Sequence, residues 1–205
     1  GASSGEVCPA HVSYLYPPVK SSIVAQSHEL PDFAEEIARL CATVYEQKKG
    51  VRHDTELLSS TAKTLLNGVY TGYGKDLVSV DWDTPDYETL TRLTQNVFSF
   101  SAAKNYQQLR TITDALRDED GSLRTFQDFK EQVATINNKF NVTWLQTEYD
   151  TCIATATQSA RWQEFKAQQG LFPYLRYQTA GDDSVRNEHR LLDGITKRPH
   201  LRVSI

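Results

Sequence analysis

The 205-residue chain predicts a mainly α protein, a multi-helix body followed by a small C-terminal α+β element. Three observations carry that expectation. Apolar residues recur at three- and four-residue intervals from Phe33 to Phe165, the period of one helix face. Start and stop signals such as Thr84-Pro85 and Gly170 punctuate those stripes. Beyond Gly170 the pattern changes to an aromatic-rich run, Leu171 to Tyr177, which reads as a strand, and then to a polar cluster between turn residues.

Residues 1–28 contain Ser and Pro with little periodicity and read as an extended segment, with Tyr14 to Val19 lying along a larger body. Helices follow through residue 121. Pro31 suits a first turn, Phe33, Ile37, Leu40, Cys41 and Val44 share a face, and Gly50 closes the helix. Asp54 is a natural N-cap for a second helix whose face is Leu57, Leu58, Thr61, Ala62, Leu65 and Leu66. Gly68, Gly72 and Gly74 read as a flexible break, and Leu77 to Val80 as a short extended piece.

Thr84-Pro85 opens the next helix, with Asp86 and Glu88 at the positive end of its dipole. Leu90, Leu93, Val97, Phe98 and Phe100 form its face. A separate helical pattern through Leu109, Ile112, Ala115 and Leu116 ends at Asp118-Glu119-Asp120-Gly121. From residue 122 the face is Phe126, Phe129, Val133, Ile136 and Phe140. Asn137, Asn138 and Asn141 suggest an interruption, after which Val142, Leu145, Tyr149, Cys152, Ile153, Ala156 and Ala160 continue the face toward Trp162.

A hydrophobic share of 39% with 23% charged residues suits a soluble globular chain and argues against disorder. No apolar run approaches the roughly 18 residues of a membrane span, so no membrane partner is expected. The chain has no Met, so Gly1 reads as a scar of processing or cloning. A net charge of −4 argues against nucleic-acid binding driven by global charge. The charge is uneven: Asp76, Asp81, Asp83, Asp86 and Glu88 are an acidic stretch, and Arg186, Arg190, Lys197, Arg198 and Arg202 make the last segment basic. Cys8, Cys41 and Cys152 show no CxxC spacing, which suits a reducing compartment and gives no zinc signal. No metal or cofactor is called for.

The densest chemistry runs from Tyr177 to Gly194. Gly181 or Asp182 turns the chain, and Asp183 or Ser184 caps a short helix from Val185 to Leu192 that Gly194 ends. Arg186, His189, Arg190 and Asp193 then stand in i,i+3 and i,i+4 relations. One reading joins His189 with Asp182, Asp183 or Glu188 in an acid–base or metal site. The other is a hydrogen-bonded cluster that locks the last helix onto the body. No HExxH-type spacing occurs, and the only nearby nucleophile is Ser184, so the chemistry alone favours the lock.

Tyr177, Thr179, Asp182, Val185, Arg186, His189, Leu192 and Gly194 stand in the order of a known signature: an aromatic-x-Thr strand, then Asp-x-x-Val-Arg-x-x-His-x-x-Leu-(Asp/Asn)-Gly. Phe140-Asn141 and Trp144-Leu145-Gln146-Thr147-Glu148-Tyr149 match a second motif upstream. Both resemble the Mu F-like phage head morphogenesis family, over about residues 122–194. The resemblance implies a minor head protein of a phage or prophage, in the virion or the host cytoplasm. Its partners would be portal and capsid proteins, and its mode binding rather than catalysis. It makes Tyr177, Thr179, Asp182, Asp183, Val185, Arg186, His189, Asp193 and Gly194 the interaction cluster, and Arg190, Lys197, Arg198 and Arg202 the candidates for weak DNA contact. The family usually continues into a Pro-rich segment and a Cys-Arg-Cys motif. Here Ile195 to Ile205 stands instead, so residues 122–205 read as a Mu F-like region shortened at its end. The alternative is a His/Asp-dependent hydrolase or nuclease-like module of toxin type.

Overall fold

The computed structural model describes residues 29–179, 181–183 and 185–198, which excludes the expected extended segment 1–28, Ser184 and Arg202. The described chain is mainly helical and ends in a small two-stranded hairpin. Its first helix, α1 (Ala34–Gln47), begins three residues after Pro31. Phe33 is the N-cap, with φ at 53° in the left-handed region, and Asp32 Oδ1 accepts the Ala34 N–H at 3.1 Å. Burial of the Phe33 ring offsets a backbone strain of about 1–2 kcal/mol.

Helix α2 (Thr55–Tyr73) has the cap its sequence predicts: Asp54 accepts the Leu57 N–H at 2.8 Å. Arg39 Nη2 donates to both carboxylate oxygens of Asp54, at 3.0 and 2.8 Å, and so ties α1 to the start of α2. Gly68 and Gly72 do not break the helix. They form its seam against α5 (Leu145–Ala167), its main packing partner, and only Gly74, at φ 78°, ends it. The following loop is not extended at Leu77 to Val80, because Asp76 Oδ1 accepts the N–H groups of Val78 and Ser79 and holds a turn.

The two helical patterns expected between Thr84 and Leu116 are one 30-residue helix, α3 (Pro85–Asp114), capped by Thr84. Its inward line runs through Leu90, Val97, Ser101, Lys104, Asn105, Gln108, Leu109 and Ile112, while Phe98 faces solvent. Helix α4 (Phe126–Asn137) leads through a π-helical segment, Asn138–Trp144, directly into α5. The i→i+5 pattern of a π-helix shifts the inward face. Phe140 and Leu145, five residues apart, are both buried, and Val142, expected inside, is exposed. Phe126 is also exposed and packs its ring on Tyr45 at the edge of the core.

Strands β1 (Leu175–Arg176) and β2 (Thr196–Lys197) pair antiparallel, Leu175 opposite Lys197. Between them lies α6 (Asn187–Arg190), shorter than expected and preceded by Arg186 at the N-cap, not by Asp183 or Ser184. The strand predicted over 171–177 is two residues long. Tyr174 and Tyr177 stay exposed, and pairing without burial is marginal.

Candidate functional site

The signature residues spend their polar groups on closing the hairpin. Gly194, at φ 79°, donates its N–H to the Tyr177 carbonyl, and Tyr177 donates to the Ile195 carbonyl, each at 2.8 Å. Two residues thus face one, a bulge whose first position needs the left-handed conformation that glycine supplies. Asp193 Oδ1 accepts the Thr179 N–H at 2.7 Å. The hydroxyl of Tyr177 and Nδ1 of His189 share a hydrogen bond at 3.2 Å, with the rings edge to face. Arg190 donates to the Asp182 carbonyl at 3.3 Å and lies 3.9 Å from an Asp183 carboxylate oxygen. Arg186 caps α6 with its carbonyl, and Val185 is half-buried beneath the turn. Arg198 stacks on Tyr174, and Lys197 projects from β2 opposite Leu175.

The cluster does not lock α6 onto the body, as the sequence suggested. Among the described residues these hydrogen bonds run within the hairpin, and Tyr177, Asp182, Asp183, Arg186, His189, Arg190 and Asp193 are all exposed. Large apolar side chains surround it in solvent, with Leu171 80% and Leu191 81% exposed. Among the described residues no group of three His, Cys, Asp or Glu side chains is gathered to hold a metal ion. An open groove of about 800 Å³ lies instead on the body, between the start of α1 and α2, lined by Asp32, Phe33, Glu36, Lys63, Asn67 and Tyr149. None of the cluster residues reaches it.

A second polar constellation lies in the body. Lys104 is 4% exposed and donates to Asn141 Oδ1 and, at 3.3 Å, to Gln108 Oε1. Asn141 Nδ2 passes the chain to Asn137 Oδ1, and Asn137 Nδ2 to the Asp32 carbonyl. The ammonium also lies 6.0 Å from the centre of the Phe33 ring. No carboxylate pairs with Lys104 among the described residues, and burial pulls its pKa down to about 8. The amine is walled in by α3, the π-helical segment and Phe33, so it ties three elements together, and it does not line the groove between α1 and α2. Sequence reading passed over it. The available signal was polar residues at 101, 104, 105 and 108, which continue the inward stripe of Leu90 and Val97.

Cys41 and Cys152 are buried free thiols, and burial raises both, Cys152 to about 12. They are core side chains. Among the described residues no helix is long and apolar enough to cross a membrane. No family model, no curated protein and no solved structure matches this chain.

Proposed function

We propose that this chain is a minor head protein of a phage or prophage, which acts in head assembly by binding portal or capsid proteins through its C-terminal hairpin. One observation carries the reading. The residues of the Mu F-like signature hold each other in a closed hairpin that presents Leu191 and Leu192 to solvent. An exposed apolar patch rimmed by charge is the mark of a protein-binding surface. A hydrolase would instead place His189 in a cleft beside carboxylates, whereas His189 here faces Tyr177 on an exposed surface. Arg190, Lys197 and Arg198 would meet DNA phosphates only weakly, and such binding falls steeply with salt.

Co-expression with the cognate portal protein, identified from the genome that carries this gene, followed by affinity capture, tests the proposal. The intact chain is expected to bring down the portal, and L191D/L192D to lose most of that capture while keeping the helical circular dichroism of the body. Absence of capture in every assembly state, or capture indifferent to L191D/L192D, would sink it.

A further inference from the structure

Two surfaces of opposite charge emerge at one pole of the molecule. Tyr73 donates to Asp86 at 2.7 Å, which joins the end of α2 to the start of α3. Gln163 of α5 donates to Thr89 of α3 at 2.6 Å, so the last turns of α5 lie at the same end. The loop 74–84 and the hairpin that follows α5 both leave the body there. The loop exposes Val78 by 96% and Trp82 by 80%. Around them Asp76, Asp81 and Asp83 are exposed and without ion-pair partners among the described residues, since Lys75 pairs with Asp86 and Arg92 with Glu88. The hairpin offers the converse: Leu171 and Tyr174 exposed, with Arg176, Lys197 and Arg198 in no ion pair among the described residues.

We propose that a second copy of this chain docks at this pole, the acidic Trp82 loop of each protomer against the basic strand pair of its partner. A two-fold contact needs both halves on one patch of the same molecule, so that each copy gives what the other receives. The shared pole meets that condition. The apolar side chains supply buried area, and the opposed charges set orientation and reject like against like. Among the described residues, loop and hairpin form no ion pair with each other inside one chain, which leaves the charges for the partner.

Sedimentation velocity on the full chain tests this. The wild type is expected to show a concentration-dependent dimer that weakens at high salt. D81K/D83K and K197E/R198E should each weaken dimerisation by about a hundredfold at low salt. Mixing these two variants should restore it, because each reversed loop then meets a reversed hairpin, and a chain carrying all four changes should dimerise alone. A second pair, V78S/W82S, removes the apolar part without altering charge and should also yield monomers. Circular dichroism checks that each variant keeps its helices. A wild type that stays monomeric at all concentrations, or a mixture that stays monomeric, overturns the proposal. Portal capture by such a monomer would leave the proposed function standing, so the two readings fail separately.

Discussion

Gly72 of α2 lies so close to Ile153 of α5 that a Cβ on the glycine would come 2.3 Å from the Ile153 carbonyl oxygen. Thr157 Oγ1 donates to the Gly72 carbonyl at 3.0 Å and reinforces the approach. Gly68, one turn earlier, faces Tyr149, and a Cβ there would come 3.1 Å from its ring. Two glycines that each cost about 1 kcal/mol of helix propensity therefore allow the main packing contact of the body. G72A is expected to lose about 1–3 kcal/mol, because the obstacle is backbone and cannot rotate away. G68A should lie within about 1 kcal/mol of wild type, since it meets mainly a side-chain ring and gains propensity. Thermal melts of the two variants, with G72A well below G68A, check this order.

Asp54 caps α2, accepts from Arg39 of α1 and offers its carbonyl to Asn105 of α3, the last at 2.7 Å. Asp54→Ala should cost about 2 kcal/mol through the lost cap and the lost charged hydrogen bond. Asp54→Asn keeps a capping oxygen and should cost less. Urea titration reads both, and equal losses would show that the cap contributes little.

Lys104 predicts a pH dependence with a definite sign. Its amine titrates at about 8 in the folded chain, against an ordinary value of 10.5. Below pH 8 both states carry the proton, and the folded state bears the cost of burying it. Between pH 8 and 10.5 the unfolded chain binds more protons, so stability rises with pH, by on the order of 3 kcal/mol in all. Above about pH 9 the buried thiol of Cys152, raised to about 12, works in the opposite direction. The rise should therefore show most clearly from pH 7.5 to 9, and Lys104→Met should abolish it. A persistent slope in that variant would assign the effect to another group.

Gly194→Ala should open the hairpin without loosening the body. A side chain at φ 79° costs about 1–2 kcal/mol, and the bulge depends on that conformation. The Gly194 and Thr179 amides should exchange faster with solvent, while the cooperative melt of the helices moves by less than about 0.5 kcal/mol. A large fall in the melting temperature would mean that the hairpin supports the body after all.

Much of the body was legible in the sequence. Asp54 and Thr84-Pro85 announced their helices because a cap is a local interaction, settled within four residues. The apolar stripes named Leu40, Leu65, Leu90 and Phe129 as core for the same reason, since burial follows from period. The asparagines at 137, 138 and 141 marked an interruption, and the π-helical segment lies there.

What the sequence could not decide depended on a neighbour distant along the chain. Gly68 and Gly72 read as a break, and only the presence of Tyr149 and Ile153 across the interface makes them a seam. Lys104 drew no reading from the sequence, and only the position of Asn141 gives its ammonium a buried acceptor. In the hairpin the order of Tyr177, His189, Asp193 and Gly194 was on the page, but not its orientation. By itself the sequence determined helix content and caps, both governed by contacts a few residues long. The tertiary structure decided which polar groups lie inside, how closely two helices approach, and that the cluster closes on itself in solvent. Those outcomes depend on desolvation and steric fit between segments up to 105 residues apart, as from Asp32 to Asn137, which no local pattern encodes.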